Sequence, residues 1–340
     1  MSAEKKHTEP VDIVYLWVDG ADPLWQNKRQ QAYTDWVSAH PDELAIYGNN
    51  AGRYRDNGEL LYNLRALEKF FPAHGHVYLV SDGQVPAWLQ PSARLTVIDH
   101  RDLLPASTGP VFDSGHIESY LHHIPGLSER FIYLNDDVFF GSRVDTAWWF
   151  GGALRVFGEV HPITDYDELQ VAETALVNAS ILSKHWLSQR YPSYQHDPRL
   201  YSHAPRPMLK SVMFELEEIA AELFEQVRST VFRSWRVPPL VPDLVPRWMV
   251  HTGLAKQRIL DPLHIHTGDQ GAAQQFDALL LKFGQLPFFC INDTCDEAAD
   301  DDLRLLRIAL TLEQLLPLPS SFEQIAQHDA AHTEAPCPAS

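Results

Sequence analysis

Basic residues, cysteines and long apolar runs are all scarce in this chain of 340 residues. Lysine and arginine together number 27 against 45 aspartates and glutamates, which gives a net charge of −18. A surface of that sign repels nucleic acid and anionic lipid, so we expect no nucleic-acid partner. An anionic substrate would have to be held by local arginines, lysines, helix N-termini or a metal ion.

The scarcity of cysteine and of long apolar segments excludes two further classes of protein. Cys290, Cys295 and Cys337 are too few and too unevenly spaced for a disulfide framework or a four-ligand zinc site. The apolar segment IVYLWV, at residues 13–18, is too short for a signal-peptide core or a transmembrane helix. The sequence predicts a cytoplasmic protein without a transmembrane segment. It leaves open both a peripheral association with the inner face of the cell membrane and the oligomeric state.

Strands and helices alternate along the N-terminal half of the chain. Apolar runs predict strands at 11–18, 76–80, 94–99 and 130–140. Helices are predicted between them, after Asp22-Pro23, after a cap at Asp56, and over 114–127. This alternation predicts an α/β fold with a mostly parallel sheet.

The second half of the sequence has a different character. Helical runs are predicted near 167–190, 206–228 and 302–316, and the proline-rich segment 236–248 is predicted to be extended. We therefore predict an α/β part over 11–160 and a helical annex over 161–316 that packs on the same domain. Residues 1–10 and 317–340 are interpreted as tails.

Acidic side chains follow three of the predicted strands. They are Asp19, Asp82 and the pair Asp136-Asp137. Since ligands of parallel α/β sheets lie beyond the carboxyl ends of the strands, these acids are predicted to share one rim. An Asp-Gly pair alone is more typical of an ordinary turn, which is the alternative for Asp19-Gly20 and Asp82-Gly83.

The acid pair stands inside an apolar stretch, IYLNDDVFF, at residues 132–140. A turn that exposes both carboxylates to water is the alternative, but Val138 continues the apolar run directly. Burying a charge is costly unless it is paired or bound to a metal. Two carboxylates at a strand end suit Mg²⁺ or Mn²⁺ shared with a diphosphate, so Asp136 and Asp137 are candidate metal ligands.

Two residues of the second half have side chains suited to group transfer. His203 could accept a proton from a hydroxyl near neutral pH, and Arg233 could neutralise phosphoryl oxygens. A single histidine is more often an ordinary surface or core residue. Their distance along the chain from Asp136 and Asp137 leaves open whether they reach the same rim.

Four blocks of this sequence resemble, in order, the conserved regions of the Stealth family. This family includes bacterial capsular polysaccharide phosphotransferases and the catalytic subunit of the lysosomal-enzyme N-acetylglucosamine-1-phosphotransferase. The blocks are DIVYLWVDGADPLW (12–25), the stretch from RDNGELLYNL to IYLNDDVFFG (55–141), HAPRPMLKSVMFELEEI with STVFRS (203–234), and PFFCINDTCD (287–296).

The resemblance implies a fold, a reaction and a set of site residues. The fold would be a GT-A-like nucleotide-sugar-binding core. The reaction would be transfer of hexose 1-phosphate, with an N-acetylhexosamine as the expected sugar, from a UDP-sugar to a glycan hydroxyl in capsular or exopolysaccharide synthesis. Asp136 and Asp137 match the metal and donor-phosphate acids, with Asp137 also catalytic, while His203 matches the proposed base and Arg233 the catalytic arginine.

Further motif positions are expected to line the donor cleft. They are Asp19, Gly20, Asp56, Arg65, Asp82, Gly83, Gln84, Glu118, His122, Asn292 and Asp293. Two other functions stay open at this stage. One is a conventional metal-dependent glycosyltransferase that transfers the sugar alone, and the other is a non-catalytic carbohydrate-binding protein.

Overall fold

The computed structural model describes residues 10–299 and 301–324. The predicted tails fall largely on residues 1–9 and 325–340, which lie outside the described residues, as does Cys337. The described stretch 317–324 packs on the fold, with Phe322 buried and Glu323 paired with Arg65. None of the helices in the described ranges combines the length and apolar character needed to cross a bilayer.

Ten strands form three sheets within the described ranges. They are β1 Val11–Leu16, β2 Val77–Ser81, β3 Leu95–Asp99, β4 Arg130–Asn135, β5 Val138–Phe140, β6 Leu154–Gly158, β7 Arg206–Leu209, β8 Ala255–Ile259, β9 Leu263–His266 and β10 Phe288–Asn292. The central sheet has the order β3-β2-β1-β4-β7, a second sheet has the order β5-β10-β9, and β6 pairs with β8. β1 is buried along its whole length, as expected for a strand covered on both faces.

Helices surround these sheets. They are α1 Pro23–Ala39, α2 Glu59–Phe70, α3 His100–Leu103, α4 Ser114–Glu118, α5 Thr146–Phe150, α6 Ala175–Arg190, α7 Lys210–Ile219, α8 Ala221–Val227, α9 Leu244–His251, α10 Ala272–Lys282 and α11 Leu303–Leu315. In the central sheet β2, β1, β3 and β4 run parallel, and only β7 is antiparallel to its neighbour. The predicted α/β fold with a mainly parallel sheet and several helices is confirmed.

The predicted strand over 130–140 is two strands that belong to different sheets. β4 ends at Asn135 and lies in the central sheet, whereas β5 begins at Val138 and pairs with β10. Asp136 and Asp137 form the turn between them. The prediction of one continuous strand was wrong because both halves are apolar, and the break depends on contacts made elsewhere in the chain.

One predicted helix start and one predicted helix end were also wrong. α2 begins at Glu59, after Gly58 in a left-handed conformation with φ of +85°. Asp56 does not cap it directly, and its Oδ1 accepts a hydrogen bond from the Gly58 N–H at 2.8 Å. The helix predicted over 114–127 ends at Glu118 and is followed by a short 3-10 turn.

The part after residue 160 is less helical than predicted. Strands β7 to β10 all lie in it, and β7 extends the central sheet beside β4. The segment 236–248 was predicted to be extended throughout, but it enters α9 at Leu244. Pro246 fits there because the first turn of a helix does not need its missing N–H. The boundary near residue 160 stays a prediction.

Candidate active site

A cleft of about 550 Å³ opens where the carboxyl ends of β1, β2, β4, β9 and β10 converge. Seven predicted site residues line it: Asp136, Asp137, His203, Arg233, Glu118, Asn292 and Asp293. The fold therefore brings the acid pair, the histidine and the arginine into one volume, although they are far apart in sequence.

A buried asparagine, Asn63, stabilises the turn that carries the acid pair. The Nδ2 of Asn63 donates to the backbone oxygens of Asp136 at 2.9 Å and Val138 at 2.7 Å. The Tyr15 hydroxyl donates to Asn63 Oδ1 at 2.9 Å, so this amide is satisfied on both sides. On the β10 side, the Ile291 N–H donates to the backbone oxygen of Asp137. These bonds fix the direction in which the two carboxylates point.

The acid pair lies in an electrostatically unfavourable place for unpaired carboxylates. Burial, and then the neighbouring Asp137, Glu59 and Asp56, raise the pKa of Asp136 well above its usual range. Burial raises the pKa of Glu59 to about 8 and also raises the pKa of Asp137.

One carboxylate oxygen of the pair supplies a specific test of whether a cation fits. Asp137 Oδ1 is buried without a hydrogen-bond partner in the described ranges. An all-oxygen set of carboxylates is the donor set that Mg²⁺ and Mn²⁺ prefer. The residues present therefore fit a divalent cation held by Asp136 and Asp137.

His203 lies beside the acid pair. Its Nε2 is 3.1 Å from Asn135 Oδ1 and 3.7 Å from Asp137 Oδ1. Burial lowers the pKa of the imidazole to about 3, and the positive charges of three nearby arginines add to this effect. These arginines are Arg206, Arg233 and Arg53. The ring is therefore neutral at pH 7 and has a lone pair available for a proton.

The same three arginines also line the cleft. Arg233 donates from Nη2 to Ser114 Oγ at 2.6 Å, and its Nε lies 3.5 Å from Asp113 Oδ1. Arg206 Nη1 reaches Asn135 Oδ1 at 3.5 Å, and the Nε of Arg53 is buried without a partner in the described part of the chain. Positive and negative groups in one cleft suit an anion that carries a divalent cation.

Two of the remaining lining residues hold partners of their own. Glu118 Oε1 accepts from the Tyr133 hydroxyl at 2.9 Å, while its Oε2 is buried without a partner in the described ranges. Asp293 forms an ion pair with Arg55. The charge of Asp293 is thus already compensated within the protein.

Four residues that were predicted to bind the sugar donor do not line the cleft. They stabilise the loops beside it. Gln84 Oε1 accepts from the Asp19 N–H, and its Nε2 donates to the Asp19 oxygen at 3.0 Å. The Gly20 N–H bonds to the Tyr54 oxygen at 2.8 Å, and a Cβ at Gly20 would stand 2.1 Å from that oxygen. Gly83 follows β2 with φ of +74°. These contacts join the loops after β1 and β2.

The other four residues that were predicted to bind the sugar donor also lie outside the cleft lining, and each contacts another residue of the protein. Asp82 binds Lys28 Nζ at 2.6 Å, and Asp56 caps the turn at Gly58. The other two pair with acids: Arg65 with Glu313 and Glu323, and fully buried His122 with Glu217 at 2.8 Å. That these four residues contact the sugar donor stays a prediction. In the structure each of them contacts another residue of the protein.

Several cleft residues were not found from the sequence. They are the lining residues Arg53, Arg206, Glu59, His264 and His266, together with Asn63 and Cys290, which are buried beside the acid pair. Two signals were available: Asn63 is a polar residue on the apolar face of α2, and the alternation of His264 and His266 places both on one face of β9. From the sequence, Cys290 was expected to belong neither to a disulfide framework nor to a four-ligand zinc site.

Two conserved regions and several relatives match this chain. Residues 9–32 match Stealth protein conserved region 1, and residues 53–155 match conserved region 2. A capsular polysaccharide phosphotransferase of Actinobacillus suis is 31% identical over 83% of this chain and 76% of its own length. The chain belongs to the Stealth family. The resemblance inferred from the sequence blocks is thereby confirmed.

Other relatives of this Stealth protein carry related names. An exopolysaccharide phosphotransferase of Streptomyces coelicolor is 35% identical over 93% of this chain. The chain spans only about half of that relative, 52% of its length. A capsular polysaccharide phosphotransferase of Actinobacillus pleuropneumoniae is 33% identical over 80% of this chain and 74% of its own. These names agree with the prediction of a phosphotransferase.

One solved structure is similar at a low level. It is the galactosyltransferase LgtC, crystallised with donor and acceptor sugar analogs. It covers 91% of this chain and 98% of its own, with 9% identity and a TM-score of 0.40. That score is too low to transfer any property to the Stealth protein.

Proposed function

We propose that this Stealth protein transfers hexose 1-phosphate from a UDP-sugar to a glycan hydroxyl and forms a phosphodiester. The observation that carries the proposal is the convergence of Asp136, Asp137, His203 and Arg233 on one cleft of about 550 Å³. The names of the relatives, which are capsular or exopolysaccharide phosphotransferases, support the reaction class. An acceptor in capsule or exopolysaccharide synthesis follows from the same names.

The acid pair is proposed to hold Mg²⁺ or Mn²⁺ through Asp136 and Asp137. When bound, such a cation offsets negative charge on the donor diphosphate and on the leaving nucleotide. The Asn63 amide keeps the turn in place, so the two carboxylates are oriented before the donor arrives.

The arginines are proposed to bind the phosphoryl group that is transferred. Arg233 is 17% exposed, and Arg206 and Arg53 line the same cleft. A guanidinium presents a planar set of donors that matches phosphoryl oxygens. Removal of one such electrostatic contact typically costs about 10²–10³ in rate.

His203 is proposed to act as the general base. Burial is the main cause of its lowered pKa, and the arginine charges add to it. The anionic donor would offset those charges, so the imidazole is proposed to become more basic once the donor is bound. The ring then takes the proton of the acceptor hydroxyl while the acceptor oxygen attacks the β-phosphorus. The bond between that phosphorus and the oxygen bridging to the α-phosphorus breaks, and uridine monophosphate leaves. A positioned base typically contributes about 10²–10⁴ in rate.

Substitution of the proposed base or metal ligand tests these roles. We expect His203→Ala and Asp137→Asn each to reduce release of uridine monophosphate at least about 100-fold, because each removes a group that acts on the reacting atoms. His161→Ala, at an exposed histidine away from the cleft lining, is the matched control and should retain full activity. The rate is measured with a UDP-sugar, Mg²⁺ and a capsular oligosaccharide acceptor, and circular dichroism checks the fold.

Wild-type activity in either cleft variant would contradict the assigned roles. Release of uridine diphosphate by the wild-type protein would support the conventional glycosyltransferase instead. Carbohydrate binding without turnover, unchanged in both variants, would support the non-catalytic alternative.

A further inference from the structure

A second group of potential metal ligands lies beside the acid pair. Cys290 of β10 and His264 of β9 are direct partners in a parallel register, so their side chains project from the same face of the sheet. His203 approaches them from the segment before β7. Ligand atoms of these three side chains all lie within 4.8 Å of one another.

The distances around the Cys290 sulfur match those of a tetrahedral metal site. Sγ is 3.6 Å from His203 Nδ1 and 3.4 Å from Asp137 Oδ2. Bonds of about 2.3 Å from zinc to sulfur and about 2.0–2.1 Å to nitrogen, at the tetrahedral angle, place the two ligand atoms about 3.6 Å apart. Two edges of such a tetrahedron are therefore already present. The longest separation in the group, at most 4.8 Å, needs to shorten by no more than about 1.2 Å.

Lone pairs at this position are available for a cation. If His203 Nε2 donates to Asn135 Oδ1, its Nδ1 is left unprotonated and faces the sulfur. His264 Nε2 is buried without a hydrogen-bond partner among the residues that the structure describes, and the oxygen of Asp137 nearest to the sulfur, Oδ2, contacts the Cys290 thiol whose proton a cation would replace. A bound cation would satisfy these atoms together.

The donor set selects a class of cation different from that of the acid pair. Thiolate and imidazole ligands favour Zn²⁺ and similar transition metals, whereas Mg²⁺ prefers oxygen. We propose that His203, His264 and Cys290, with Asp137 as the fourth ligand, form a binding site for Zn²⁺-class cations. Binding displaces the thiol proton of Cys290 to solvent.

Occupancy of this site has a consequence for the transferase. A cation bound there takes the His203 lone pair and one carboxylate of the acid pair, so it competes with the general base and with Mg²⁺. Zn²⁺ is therefore expected to inhibit transfer. This second half of the proposal rests on the proposed function, whereas the binding site itself does not.

Co²⁺ is a spectroscopic probe for the site. Titration of the full chain should give a thiolate-to-cobalt charge-transfer band that saturates at one equivalent and is abolished by Zn²⁺. Cys290→Ser should lose the band and bind Zn²⁺ more weakly by more than the 10–100-fold that loss of an outer-shell contact typically costs. The matched control is Cys295→Ser, because Cys295 is also buried but bonds to Thr267 Oγ1, and it should retain the band.

A second variant covers the possibility of a folding defect in Cys290→Ser. His264→Gln keeps the thiol and removes one imidazole, so it should retain a weakened band with reduced Zn²⁺ affinity. The absence of a thiolate band in the wild-type protein, its persistence in Cys290→Ser, or unchanged Zn²⁺ affinity in His264→Gln would overturn the site.

The inhibitory consequence is measured by uridine monophosphate release in the presence of Mg²⁺ and increasing Zn²⁺. The wild-type protein should be inhibited, and Cys290→Ser should require at least ten-fold more Zn²⁺ for half-inhibition. A cobalt band in a protein without transferase activity would support the metal site and contradict the proposed function. Transfer that is insensitive to Zn²⁺, with no cobalt band, would overturn the metal site and leave the proposed function standing.

Discussion

At the scale of single residues, the acid pair destabilises the fold when its carboxylates are ionised, and the proposed cation would offset that cost. Asp136 is placed near Asp137, Glu59 and Asp56, and its pKa is raised well above its usual range by burial first and by these carboxylates next. The unfolded chain releases this proton near the ordinary pKa, whereas the native state retains it to higher pH. Stability therefore falls as the pH rises above the unfolded pKa.

Neutralising one of these carboxylates should stabilise the metal-free protein. At mildly alkaline pH without divalent cations, Asp136→Asn is expected to raise the melting temperature by about 2 °C or more, because the amide removes the cost of a buried charge. Added Mg²⁺ should stabilise the wild-type protein and have little effect on the variant. Calorimetry measures both.

Asp145→Asn is the control, since Asp145 is an exposed helix cap with Oδ1 bonded to the Ala147 N–H. This variant should lose stability slightly and respond to Mg²⁺ as the wild type does. A lower melting temperature for Asp136→Asn than for the wild-type protein would contradict the electrostatic description of the pair.

At the scale of secondary-structure elements, the turn between β4 and β5 is the feature that builds the site. It carries the chain from the central sheet to the β5-β10-β9 sheet and presents both carboxylates to the cleft. Asn63 of α2 holds it through two backbone oxygens, and α2 also packs against β5. The helix α2 thus fixes the position of the turn that connects the two sheets.

Loss of this asparagine should loosen the turn. Asn63→Ala leaves the Tyr15 hydroxyl and two buried backbone oxygens with lost partners, so we expect a loss of about 2–4 kcal/mol in the free energy of unfolding and a lower turnover. Tyr15→Phe removes only one of the bonds and should cost about 1 kcal/mol. Urea denaturation gives the stabilities, and equal values for the two variants would show that the turn does not depend on the amide.

Sequence reasoning predicted the alternating α/β architecture and seven residues that line the cleft, because strand ends and acidic residues are local features. It failed where contacts between distant parts of the chain determine the structure. The break at Asp136 depends on Asn63, more than seventy positions earlier. Arg65 and His122 match motif positions, yet their partners Glu323 and Glu217 come from remote segments that no local pattern pairs with them.

At the scale of the whole molecule, a large number of histidines are kept neutral. Among the described residues, burial lowers the pKa of seven of them: to about 4 for His74, His100, His122, His196 and His264, to about 3 for His203, and in the same direction for His116. Between pH 6.5 and about 4 the unfolded chain binds more protons at these sites than the native protein does. Glu59, with a pKa raised to about 8, acts in the opposite direction, and so do Asp136 and Asp137, whose pKa values burial also raises.

Stability should therefore decrease steeply as the pH falls from 6.5 to 4. Each proton taken up on unfolding changes the free energy of unfolding by about 1.4 kcal/mol per pH unit. The histidines take up about six protons near the middle of this range and the three buried carboxyls offset up to about three, so a net uptake of about three is expected. Urea midpoints measured across the range test this, and His196→Gln should make the dependence shallower by about one proton. A urea midpoint that stays constant from pH 6.5 to 4 would contradict the description of these histidines as buried and neutral.

The central claim is the transfer of a sugar phosphate, and the phosphorus content of the product tests it most directly. The protein is incubated with Mg²⁺, a UDP-sugar and a capsular oligosaccharide, and the purified glycan is examined by phosphorus magnetic resonance and mass spectrometry. We predict a phosphodiester signal and a mass increase of one hexose phosphate for each transfer. A glycan that gains sugar without phosphorus would contradict the claim.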